Sequence, residues 1–255
     1  MALQVQAPTR RPRQGGIKTV IEGGAFIPVD RLAVVNQAGG LAWESSGCGL
    51  PKTTRAGCYD DVIGDAPKTF DGISQFTTIG DPFARYAGVE CYLGGDDEES
   101  YLDQARTLLD QGEDRSIESV LWNWAAAAPT PGTGATYAEA IGKVEDHADV
   151  NYVGAPIILM SRVAADLAYA EGVLEREDGR LVTANGNWVL ATGSAVDDQN
   201  TRIIAIGGLA VYASSEVRAA AMLLHENLGA AIAERVYAIG VDCDFRYAVD
   251  VDTTP

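Results

Sequence analysis

The chain has 255 residues, 47% of them hydrophobic and 22% charged, which excludes a disordered chain and allows a core that needs no metal to fold. Nineteen Lys and Arg stand against 36 Asp and Glu, a formal net charge of −17, so a general binder of polyanions is excluded. The longest apolar runs, such as 155–160, are far too short to cross a bilayer, and the opening Met-Ala-Leu-Gln lacks the apolar stretch of a secretory signal.

Residues 1–18 carry Arg10, Arg11, Arg13 and Lys18 and no acid, while Pro8, Pro12, Gly15 and Gly16 oppose a helix. An extended basic arm is expected there. From 36 to 90, glycines and prolines recur with no helical period, among short β-like pieces such as 75–79. More than fifty residues of this kind are unusual inside one compact domain. Their apolar residues Phe70, Ile73, Phe76, Ile79 and Phe83 are therefore expected to be covered by another chain. A long helix over 97–124 follows, with Asp96, Asp97, Glu98 and Glu99 at the end that the helix dipole makes favourable for acids. Tyr101, Leu102, Ala105, Leu108, Leu109, Ile117, Val120, Leu121 and Trp124 give it an apolar face near a 3.6-residue period.

From residue 129 helices and strands alternate. Thr136 is placed to cap a helix through Asp149 that buries Ala138, Ile141, Val144 and Ala148. The apolar run 155–160 reads as a buried strand, Ser161 caps a helix that stops at Gly172, and Asn185-Gly186 marks a hairpin before Trp188. Strands are expected at 203–206 and 209–212, then a helix capped by Ser214 with Val217, Ala221, Leu224 and Leu228 on its apolar face. The alternation of 232–236 and 245–251 predicts an antiparallel pair turning near Asp242-Cys243-Asp244.

Signs of chemistry are sparse. Cys48, Cys58, Cys91 and Cys243 are irregularly spaced and read as reduced thiols of a soluble intracellular protein, and neither His147 nor His225 lies near a cysteine at metal-ligand spacing. There is no G-x-S-x-G elbow, no G-K-[ST] phosphate loop and no H-E-x-x-H. Pairing Cys91 with His147 or His225 gives the rival reading, a small Cys-dependent hydrolase. The favoured reading is a structural protein that uses no cofactor and no metal.

The order of segments resembles a known family. The runs V-G-A-P-I-I-L-M-S-R-V-A-A-D-L at 153–167, D-G-R-L-V-T-A-N-G at 178–186 and A-E-R-V-Y-A-I-G-V-D-C-D-F-R-Y-A-V at 233–249 carry the likeness. With the basic arm, long glycine-rich loop and long helix before them, they look like the major capsid protein of tailed bacteriophages, the Hong Kong 97 fold shared with encapsulins. That resemblance implies an α+β architecture with an N-arm (1–35), an extended loop (36–90), a peripheral domain (91–130 with 225–255) built on a spine helix, and an axial domain (131–224). It implies a non-enzymatic subunit that assembles as pentamers and hexamers into an icosahedral virion shell, after synthesis in the host cytoplasm. Double-stranded DNA would lie inside, facing Arg10, Arg11, Arg13 and Lys18. A portal, a separate scaffold and decoration proteins would be partners, and a membrane would not. An encapsulin nanocompartment is the alternative within the class. The family's loop-to-neighbour cross-link, carried over, would involve Lys52 or Lys68 and Asn227.

Overall fold

A computed structural model describes residues 16–29, 41–45, 76–92, 98–130, 132–194, 201–223 and 228–252. The spine is α1 (Glu98–Ala126), about 43 Å long at 1.5 Å per residue. Glu98 and Glu99 occupy its first turn. Two arginines close its other end, Arg202 Nη1 donating to the Ala126 carbonyl at 2.8 Å and Arg246 Nη1 to that of Trp124 at 2.5 Å.

Two sheets flank this helix. The larger has seven strands in the order β5 (Thr133–Gly134), β14 (Arg246–Val251), β10 (Arg202–Ile206), β6 (Ile157–Ser161), β9 (Trp188–Thr192), β8 (Arg180–Thr183) and β7 (Leu174–Glu177). Its central strand β6 is buried along its whole length, which is why the sequence reads there as an unbroken apolar run. On one face lie α2 (Tyr137–Asn151) and α3 (Arg162–Ala170), packed on Ile158, Met160, Val189, Ile203 and Val249. On the other, Leu159, Leu190, Ile204 and Ile206 meet Ile117, Leu121 and Trp122 of α1. Both caps form as expected, Thr136 accepting from the Glu139 amide and Ser161 from that of Ala164.

The smaller sheet centres on β13 (Leu228–Val241). One edge of β13 pairs with β4 (Phe83–Tyr92); the other pairs with β12 (Val217–Leu223) and then with β11 (Leu209–Ala213), which pairs in parallel with β1 (Ile27–Pro28). A separate hairpin joins β2 (Leu41–Ser45) to β3 (Phe76–Gly80).

Three expectations are corrected. Residues 217–223 form a strand, not a helix capped by Ser214, because pairing with 228–234 overrides the helical preference of an Ala-rich stretch. Residues 228–241 and 246–251 do not pair with each other. They lie in different sheets, 228–241 pairing with 83–92, 209–213 and 217–223, and 246–251 with 202–206 and 133–134. Two of the chain's crossings between the sheets, at 207–208 and at 242–245, bond side by side, Asp242 N to Gly208 O at 2.8 Å and Gly207 N to Phe245 O at 3.1 Å. A Cβ on Gly207 would lie 2.3 Å from the Asp242 carbonyl oxygen, so the approach requires glycine. Finally, Cys243 is disulfide-bonded, not a free thiol.

Candidate assembly surfaces and the carboxylates that frame them

On β4, β12 and β13 side chains alternate between faces, so α1 covers only one side of the smaller sheet. Tyr101, Ala105 and Leu109 of α1 pack on Ala231, Ala233, Ala87, Val89 and Ala220. The opposite side presents three rows across the strands: Val217–Glu234–Tyr86, Ala219–Ile232–Gly88 and Ala221–Ala230–Glu90. Seven of these nine residues are apolar or glycine, and Tyr86, Val217 and Ile232 are 70%, 65% and 37% exposed. An antiparallel sheet with one wet face ordinarily carries polar residues there. A second exposed apolar stripe lies on α3, where Val163 and Leu167 are one turn apart and half exposed. By contrast, the β7 edge of the larger sheet carries exposed Glu175, Arg176 and Glu177, which discourages edge-to-edge pairing.

Three buried carboxylates hold the supporting frame. Glu113 is 4% exposed. Its Oε1 accepts from Lys18 Nζ at 2.7 Å, and its Oε2 accepts from Arg235 Nη1 at 2.6 Å and the Tyr237 hydroxyl at 2.7 Å. One α1 side chain thus ties the N-terminal segment to β13. Burial, then the hydrogen bond to Glu113 and its charge, push the Tyr237 phenol well above its ordinary range. Arg235 also reaches Glu216 at 3.2 Å and Asp110 at 3.6 Å. Glu118 accepts from the Ile17 amide at 3.2 Å and the Thr192 hydroxyl at 3.0 Å, joining the same segment to β9. Glu145 accepts from Thr183, Asn185 and Asn187 and fastens the β8–β9 hairpin to α2. At the crossing, the Tyr152 hydroxyl donates to Asp242 at 2.9 Å and accepts from the Gly208 amide at 2.9 Å. Burial first, and the bond to Asp242, raise the Tyr152 phenol above its ordinary value, although the Gly208 amide works against this.

Of the arm residues, Lys18 is placed on Glu113 and Asp114, while Arg10, Arg11 and Arg13 lie outside the described residues. Phe83 packs against the main core with its ring 5.9 Å from that of Tyr237. Phe76 and Ile79 lie in β3, and Phe70 and Ile73 fall outside the described residues, as do Lys52, Lys68 and Asn227. His147 of α2 stacks on Tyr247 with ring centroids 3.6 Å apart, beside the larger sheet, whereas Cys91 belongs to β4 of the smaller one. His225 is outside the described residues. Among the described residues no cluster of His, Cys, Asp and Glu is arranged to hold a metal, and no helix is long and apolar enough to cross a membrane. The uncovered sheet face and the three carboxylate hubs escaped the sequence reading; alternation over 217–223 and 83–92 was the available signal for the face.

This two-sheet body on a long spine helix is the Hong Kong 97-like capsid fold that the order of segments anticipates. Solved structures share it over nearly the whole chain. One from Microbacterium phage Oxtober96 matches 99% of this chain and 96% of its own at a TM-score of 0.59 and 13% identity. The head structure of Helicobacter pylori bacteriophage KHP40 matches 99% and 95% at 0.57 and 11% identity. The holo-SrpI encapsulin complex of Synechococcus elongatus matches 100% and 98% at 0.52 and 11% identity. No protein-family model matches the sequence, and no curated protein matches it significantly.

Proposed function

We propose that this chain is the structural subunit of a closed icosahedral shell enclosing a phage genome. The carrying observation is a capsid-type fold over nearly the whole chain whose smaller sheet leaves the apolar patch around Tyr86, Ile232 and Val217 uncovered in the single chain. A contiguous apolar face on a soluble protein marks an interaction surface. In this reading copies of the chain cover one another: the part of the 36–90 segment that precedes β4 in one subunit lies on the Tyr86–Ile232–Val217 face of the next. The α3 stripe meets its copies around the axes of pentamers and hexamers. The arm arginines Arg10, Arg11 and Arg13 face the packaged double-stranded DNA and supply weak, salt-dependent attraction inside an acidic body. A portal, and where used a scaffold and decoration proteins, complete the particle in the host cytoplasm and virion.

The likeness to an encapsulin complex supports a second reading, a nanocompartment shell. Nucleic acid inside purified particles favours the first, and a co-purifying cargo protein favours the second. The interface assignment is tested by Ile232→Glu combined with Tyr86→Glu. Both side chains face solvent in the single chain, so the expected result is loss of particles with the melting temperature of the free subunit unchanged. Particles that form normally from the double variant overturn the assignment.

A further inference from the structure

The start of the described chain is a plug with a hinge behind it. Ile17, Val20 and Ile21 are 0%, 1% and 1% exposed in the main core. Glu118 holds the Ile17 amide, and Glu113 and Asp114 hold the Lys18 ammonium at 2.7 and 3.3 Å. Burial lowers the Lys18 pKa, but the hydrogen bond to Glu113, its charge and that of Asp114 outweigh it, and the ammonium is held above its ordinary value. Beyond the plug, Gly23 and Gly24 have φ of 72° and 67°, both are exposed, and a Cβ on Gly23 would meet nothing within 4 Å. Two successive residues there can rotate through a region that only glycine visits freely. Past the hinge the chain is fixed again, with Ile27 and Pro28 paired to Tyr212 and Ala213.

We propose that residues 16–21 are a latch that opens as one unit about Gly23–Gly24 while both sheets and α1 stay folded. The bonding at the seat supports this. When Lys18 leaves, Glu113 keeps Arg235 and Tyr237, and when Ile17 leaves, Glu118 keeps Thr192. Glu113 keeps its ion pair and Glu118 keeps a hydrogen-bond donor, so neither carboxylate is left bare in the core, the outcome that makes breaking such contacts costly. The buried aliphatic side chains keep the open form a minor population. The open latch lengthens the reach of everything before Gly16 by the plug itself. In a shell, that difference decides how far the basic arm extends; the latch itself belongs to the single subunit and exists whether or not a shell forms.

Hydrogen exchange on the purified subunit, read by mass spectrometry over 16–21 and over α1, tests this directly. A unit that opens below the global unfolding free energy exchanges faster than the core. The plug amides are expected to exchange at least about tenfold faster than those of 113–125, and Lys18→Gln to accelerate the plug again while leaving α1 unchanged. Trypsin gives a second reading on the unaltered chain, since cleavage after Lys18 is expected while α1 remains intact. If the plug and α1 exchange at one common rate in both proteins, or if Lys18 is cut only on global unfolding, residues 16–21 are ordinary core and the latch does not exist.

Discussion

Replacing Glu145 with Ala removes the acceptor that fastens the β8–β9 hairpin to α2. Its Oε1 accepts from the Thr183 hydroxyl at 2.5 Å and from Asn187 Nδ2 at 2.7 Å, and its Oε2 from Asn185 Nδ2 at 2.8 Å. A hydrogen bond to a charged partner contributes about 1.5–3 kcal/mol. The three do not simply add, because Asn185 is exposed and Asn187 half-buried, and water replaces much of what they lose. Thr183 is 3% exposed and has no such substitute. The expected loss is therefore about 2–4 kcal/mol. In a chain of this length that lowers Tm by about 5–15 °C. Thermal and urea unfolding of the purified subunit measure it. Glu145→Gln, which keeps one acceptor but turns an amide donor toward the asparagines, is expected to lose about half as much. A change under about 0.5 kcal/mol for Glu145→Ala, the range of an ordinary surface substitution, would refute the reasoning.

Trp122→Ala, at a side chain 1% exposed between α1 and the larger sheet, is expected to cost about 3–5 kcal/mol in urea unfolding. Gly207→Ala and Gly112→Ala should differ in sign. The first sets a Cβ against the Asp242 carbonyl and lowers Tm, while the second enters open space in α1 and gains about 0.5–1 kcal/mol. His147 has its pKa held below 6.5, by burial first and against the opposing pull of Asp146. The unfolded chain therefore takes up that proton first, so stability falls as pH drops below about 6.5 and levels off beneath the native pKa. Lys143 and Asp146 are the charged neighbours in the cleft it shares with Tyr247. His147→Phe, which keeps a ring on Tyr247, should flatten this part of the Tm profile between pH 7.5 and 5.

Features written by local chemistry were legible in the sequence. The buried strand 157–161 shows as a continuous apolar run, Thr136 and Ser161 announce their helices, Asn185-Gly186 announces its hairpin, and α1 shows by period and length. Features decided by distant partners were not. Val217–Leu223 has a composition that suits a helix and becomes a strand only because β13 lies beside it. The alternation at 246–251 identified a strand without its partner, which lies more than forty residues upstream. On α2 the expected Ile141, Val144 and Ala148 are buried, but Ala138 is exposed, and Tyr137, Ala140 and Glu145 complete the buried face. Glu113, Glu118 and Glu145 show why. A carboxylate in a helical repeat reads as a solvent-facing residue, and only the folded chain reveals donors that arrive from 38 to 124 residues away. The uncovered face of the smaller sheet was hidden for the same reason, since it exists only once β4, β12 and β13 are set in register.

Everything proposed about function rests on copies of this chain covering one another's exposed faces. Electron microscopy of the purified wild-type protein, taken with its mass distribution in solution, tests that claim most directly. Closed particles of uniform diameter, built from 26.9 kDa chains, are the expected result. A single 26.9 kDa species at every concentration, with no larger assembly, would contradict it.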